Sequence, residues 1–181
     1  MNRPTLILLL LFPMTLVFGQ DRLVARQGQV SFFSYTSVEN IEATNNQVFS
    51  IIDLDKNEIA ISMLMRAFVF KKALMQEHFN ESYIESDIHP KATFEGRILE
   101  FDPKLPDTQT KLVKGMISLH GVTKEKEIKT TIERVGQGLL LTGSFTMTVA
   151  DYQIKIPPIV AGNIAKTIEV TFRIQFASYE K

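Results

Sequence analysis

The chain has 181 residues, with 20 Lys and Arg balanced by 20 Asp and Glu, an isoelectric point near 6.8 and no cysteine. Balanced charge excludes a binder that tracks nucleic-acid phosphates with a basic face, and no run of five like charges offers a charged tail. The missing cysteine removes disulfides, thiolate metal sites, a cysteine nucleophile and a lipidated-cysteine anchor.

In chain order, Met1–Gly19 comes first: one early cation, Arg3, an apolar stretch from Leu6 to Phe18, then small Gly19 before polar Gln20. That is the pattern of a cleaved secretory signal. The apolar part is interrupted by Pro13 and falls short of the ~20 residues that span a bilayer, so no stable membrane anchor is expected. Residues 20–181 are read as a single domain.

The remainder is dominated by period-two alternation, the mark of half-buried strands. Weaker strands are predicted over Val30–Tyr35, Val48–Asp53 and Glu58–Phe70. Both faces of the last are apolar, which suggests cover on its outer side by the element that follows. That element is the one helical stretch, about 71–80 (KKALMQEHFN), built of good helix formers. Strands then follow over Lys91–Phe101, Leu112–His120, Glu125–Val135, Gly138–Val149 and Thr167–Ala177. In the last, Ile168, Val170, Phe172, Ile174 and Phe176 alternate with polar residues. Turn chemistry separates the runs at Asp55–Asn57, Asp102–Asp107, Gly136–Gly138 and Ala161–Asn163. About eight antiparallel strands must hide their edges. The expectation is an all-β fold, a closed antiparallel lipocalin-like barrel with one short helix between strands, whose interior is just wide enough for one apolar ligand.

Chemistry-bearing patterns are sparse. The sequence has no Gly-x-Ser-x-Gly, no His-Glu-x-x-His and no phosphate loop. His78, His89 and His120 are isolated from one another. Together with Glu77 and Asp87 they are the best raw material for a metal set, but spacing alone does not make them converge. They read as polar groups at a helix end and in loops. No catalytic residue, metal or cofactor is assigned. Apolar interior is what the chain has in excess, with 13 Phe and 7 Met. Gly96, Gly115 and Gly143 fall on inward faces, where missing side chains permit an internal tunnel.

Two stretches carry a family likeness: HPKATFEGRI at 89–98 and VKGMISLHGVTKEKEI at 113–128. With LTGSF at 141–145, DYQI at 151–154 and IEVTF at 168–172, the chain resembles the YceI-like family along nearly its whole length. The resemblance implies a lipocalin-like barrel exported to the periplasm or outside, binding polyisoprenoids or related long-chain amphiphiles in an elongated pore. The segments 42–49 and 77–84 depart from the family pattern, where the pore mouth would lie. On this reading the pore is lined by Phe32, Phe94, Ile98, Ile117, Leu119, Phe145, Met147, Val170, Phe172 and Ile174. His120 faces away from Ile117 and Leu119, in a role of holding the Gly121 turn by a hydrogen bond. The leading reading is a non-catalytic carrier of a long-chain isoprenoid or amphiphilic lipid, with no nucleic acid as partner and a homodimer left open. The alternative is an exported barrel with a filled core that acts through its surface.

Overall fold

Alternation of apolar and polar residues becomes a barrel because each strand finds an antiparallel neighbour on both sides. The computed structural model describes residues 22–35, 39–156 and 166–178. The signal-like segment and the Ala161–Asn163 turn lie outside the described residues. The strands are β1 (Arg22–Ser34), β2 (Ile41–Asp53), β3 (Glu58–Leu64), β4 (Val69–Phe70), β5 (Lys91–Ile98), β6 (Gln109–Leu119), β7 (Val122–Val135), β8 (Gly138–Thr148) and β9 (Thr167–Ser178). The sheet runs β1-β9-β8-β7-β6-β5-β3-β2, and β1 pairs with β2 to close it into eight strands. Two-residue β4 is an extra strand on β2.

Closure asks β1 and β2 to bend. Ala25 faces Ser50, Gly28 faces Val48 and Val30 faces Asn45, so each strand carries one extra residue relative to its partner. These are reciprocal bulges. They interrupt the alternation with two successive exposed residues, Arg26-Gln27 and Asn46-Gln47. The strands are therefore longer at their amino-terminal ends than the pattern predicts, because the phase slips in the middle of each.

Glu58–Phe70 is not one strand covered on its outer face. β3 stops at Leu64, a tight turn over Met65–Ala67 swings the chain inward, and β4 rejoins β2 at Ala43 and Thr44. Leu64 is left 47% exposed outside, while Phe68 and Phe70 are buried. Where β3 leaves, the fully buried Asn45 spans the gap. Its Nδ2 donates to the Leu64 carbonyl at 2.9 Å, and its Oδ1 accepts from the Gln47 amide at 2.8 Å. A polar side chain in the core is stable there because both ends are satisfied.

The helix α1 is short, Ala73–His78, and passes into a wider turn over Phe79–Tyr83, where the Ile84 amide donates to the Phe79 carbonyl. Six residues do not hold a helix in water. Met75 and Phe79 pack against the buried core and keep it in place. The opposite end of the barrel is filled by Ile52, Ile98, Ile132, Leu139, Ile174 and Phe176, each at most 4% exposed.

Replacing Asn45 by Ala removes the partner of the Gln47 amide and of the Leu64 carbonyl. We expect a loss of about 1–3 kcal/mol in chemical denaturation, against near-neutral change for Asn46→Ala on the exposed side of the same bulge.

Candidate functional site

Inward residues of the barrel and the underside of the α1 segment line a cavity of about 290 Å³. Its wall is built from alternate residues of the strands: Val30 and Phe32 from β1, Ile59, Ile61 and Met63 from β3, Phe94 from β5, Ile117 and Leu119 from β6, Phe145 and Met147 from β8, Val170 and Phe172 from β9. The polar groups among the described lining residues are Ser34, His78, Tyr83, Thr93 and Thr130; none is an acid, a lysine or an arginine.

One end of the cavity is capped by four phenylalanines. Phe79 stacks on Phe32 with centroids 5.6 Å apart and meets Phe70 at 5.0 Å and Phe68 at 5.7 Å. Offset and edge-on contacts at these distances add attraction beyond burial alone. Ser34 sits on the same wall, 2% exposed, and its hydroxyl has no hydrogen-bond partner among the described residues.

Of the lining residues predicted from sequence, Phe32, Phe94, Ile117, Leu119, Phe145, Met147, Val170 and Phe172 border the cavity. Ile98 and Ile174 do not. They are 1% and 0% exposed in the packed opposite end, and Ile174 presses against Gly28 of the neighbouring strand β1. Phe68, Phe70 and Phe79 were missed because a continuous strand and an outward helix put them elsewhere. Their signal was the doubly apolar run up to Phe70.

The inward glycines do not open a tunnel. Gly96 and Gly115 face each other across β5 and β6, and the Phe94 ring lies over the pair. A Cβ on Gly115 would stand 2.3 Å from the Glu95 carbonyl oxygen and 2.7 Å from the Phe94 ring. The Phe172 ring covers Gly143 in the same way. Glycine here makes room for an aromatic ring of the neighbouring position, so the cavity lies above these rings rather than through them.

His120 plays a different role from the one expected. It and Gly121 form the two-residue β6–β7 turn, both at positive φ (51° and 75°), as this hairpin geometry requires. The His120 ring does not bond within its own turn. Nδ1 donates to the Tyr152 carbonyl at 3.0 Å, and Nε2 lies 3.1 Å from the Glu85 carboxylate. Burial, with Asp151 adding to it, pushes the Tyr152 phenol above its ordinary range. His89 packs edge-on to His120 at 4.5 Å between centroids. The donor atoms of Glu85, His89 and His120 lie within 4.8 Å of one another. His78 is not part of this group and borders the cavity instead.

Residues 22–176 match the model of the YceI-like domain. No curated protein matches the chain by sequence. Among solved structures, a polyisoprenoid binding domain from Saccharophagus degradans implicated in plant cell wall breakdown superposes with a TM-score of 0.75 at 13% identity, covering 89% of this chain and all of that one. BcnA of Burkholderia cenocepacia gives 0.69 at 13% identity, over 82% of this chain and 95% of its own. A Campylobacter jejuni YceI protein gives 0.61 at 10%, over 81% and 90%.

Because a neighbouring backbone oxygen occupies the space of a side chain, Gly115→Ala forces β5 and β6 apart. We expect a loss of about 3 kcal/mol, the upper part of the overpacking range, read from the denaturation midpoint whether or not the cavity is filled.

Proposed function

The chain belongs to the YceI-like domain family, and from that premise we propose that it is a non-catalytic binder of an apolar-chain amphiphile, a polyisoprenoid or similar lipid, held in the barrel cavity. The observation that carries the reading is the cavity and its lining, apolar apart from a few polar groups. A filled core acting only through its surface has no use for such a space. The Saccharophagus degradans neighbour, described as polyisoprenoid binding, supports the same class of ligand.

An apolar tail is held by the area it buries. Burying ~10 methylenes at ~0.8 kcal/mol each yields about 8 kcal/mol, near micromolar before ordering costs. A charged head group meets no lysine, arginine or acid among the described lining residues and stays in water, since burying it unpaired is costly. A neutral head, a hydroxyl or a carbonyl, finds Ser34 Oγ as its partner. Export accords with this role: the Met1–Gly19 pattern is that of a cleaved signal, and no helix among the described residues is long and apolar enough to cross a membrane.

Native mass spectrometry of the purified protein should show a hydrophobic adduct that organic extraction removes, and the stripped protein should take up retinol. A protein that carries no adduct and leaves added retinol in solution would end the proposal.

Ser34→Ala separates a head-group contact from simple packing. The stripped variant should keep or gain stability, because a buried unpaired hydroxyl is gone. Its affinity for retinol, which has a hydroxyl head, should fall by about 0.5–1.5 kcal/mol. Unchanged affinity in titrations would show that the head does not reach this wall.

A further inference from the structure

We propose that Glu85, His89 and His120 form a binding site for a divalent transition-metal ion, best matched by Zn²⁺, which fastens the turn after α1 to the β6–β7 hairpin. The site is independent of the lipid reading, since its donors lie outside the described lining of the cavity.

The argument starts from the His120 ring. A carbonyl oxygen only accepts, so the 3.0 Å contact to the Tyr152 carbonyl places a proton on Nδ1. Nε2 of the ring is thereby left for a side-chain partner and lies 3.1 Å from a Glu85 carboxylate oxygen. A third donor stands beside them: the His89 ring packs against His120, and donor atoms of all three residues lie within 4.8 Å of one another. An imidazole whose Nδ1–H is held by a backbone carbonyl, with Nε2 turned toward other ligand-type side chains, is the usual arrangement of a metal-ligating histidine.

The backbone turn that carries two of the donors is formed without an ion. The Ile88 and His89 amides both donate to the Glu85 carbonyl, at 2.8 and 2.9 Å, closing a turn that brings Glu85 and His89 together. Arg66 holds the same turn through Ser86 Oγ and Asp87. Glu85 and His120 both carry positive φ, 49° and 51°. Tetrahedral coordination at Zn–N of 2.0–2.1 Å needs donors about 3.4 Å apart. The Glu85–His120 separation meets this, and a change in the half-exposed His89 side chain supplies the rest. Two imidazoles and one carboxylate suit Zn²⁺, with water in the fourth position.

The test is Zn²⁺ competition against a chromophoric chelator, using the untagged protein and its His89→Ala and Glu85→Gln variants. We expect one ion per chain, and an affinity lower by about 10-fold or more in each variant, since even supporting partners of metal ligands carry that much. Zn²⁺ should raise the melting temperature of the parent but not of His89→Ala, while without metal the two melt together. Should one variant fail to fold, the other decides. Zn²⁺ left wholly with the chelator, or held equally well by parent and a folded variant, overturns the site.

Discussion

The barrel depends on β1 pairing with both β2 and β9. An open eight-stranded sheet would leave two long edges of unpaired amides and carbonyls; closure removes them, and every other feature of the interior follows. β1 and β2 each run 13 residues, about 43 Å at the usual rise. To stay in register they must bend sharply. The reciprocal bulges supply the bend, Gly28 lets Ile174 and Val48 approach closely at it, and Asn45 satisfies the Gln47 amide of the bulge together with the Leu64 carbonyl where β3 ends.

Closure also sets the volume to be filled. An eight-stranded barrel is just wide enough for side chains to meet in the middle, so a cavity exists only where the inward side chains do not reach. At the packed end, large aliphatic residues and Phe176 meet across the axis. In the middle, glycines on β5, β6 and β8 let Phe94 and Phe172 lie flat along the wall instead of projecting inward. Toward α1 the space is then closed by an element from outside the barrel ladder, through Phe79 seated on Phe32, Phe68 and Phe70. The cavity is thus a consequence of where phenylalanine is placed, more than of how many there are.

This explains what could be read in the sequence. β8 and β9 keep one unbroken phase, so Gly138–Thr148 and Thr167–Ser178 stand within a residue of their predicted ends. β5 stops at Ile98, short of Phe101, and β6 and β7 begin three residues earlier than predicted, at Gln109 and Val122, where polar residues hide the alternation. β1 and β2 were read short because a bulge resets the phase and puts polar Asn45 and Ser50 inside, where alternation expects apolar residues. Lining residues on regular strands were legible for the same reason. Ile98 and Ile174 obey the same alternation, but distance along the barrel axis, which periodicity does not encode, places them in the packed end. The Phe cap and the Glu85–His89–His120 group need the tertiary path of residues 65–89. No local pattern states that a turn at Met65–Ala67 carries Phe68 and Phe70 inward, or that Glu85 rather than His78 meets the two imidazoles.

That same path gives the 79–89 segment two faces with different chemistry. Phe79, Tyr83 and Ile84 border the cavity, whereas Glu85 and His89 turn toward the β6–β7 hairpin. The segment has little secondary structure of its own to hold it: one wide turn, then the short turn closed on the Glu85 carbonyl. Its position is therefore set by side-chain contacts on both faces. Whatever strengthens the Glu85–His120 contact makes it harder to lift Phe79, Tyr83 and Ile84 off the cavity. The Glu85–His120 contact and the cavity wall are two sides of one element, so Phe79, Tyr83 and Ile84 are held in place by a polar contact outside the cavity as well as by packing inside it.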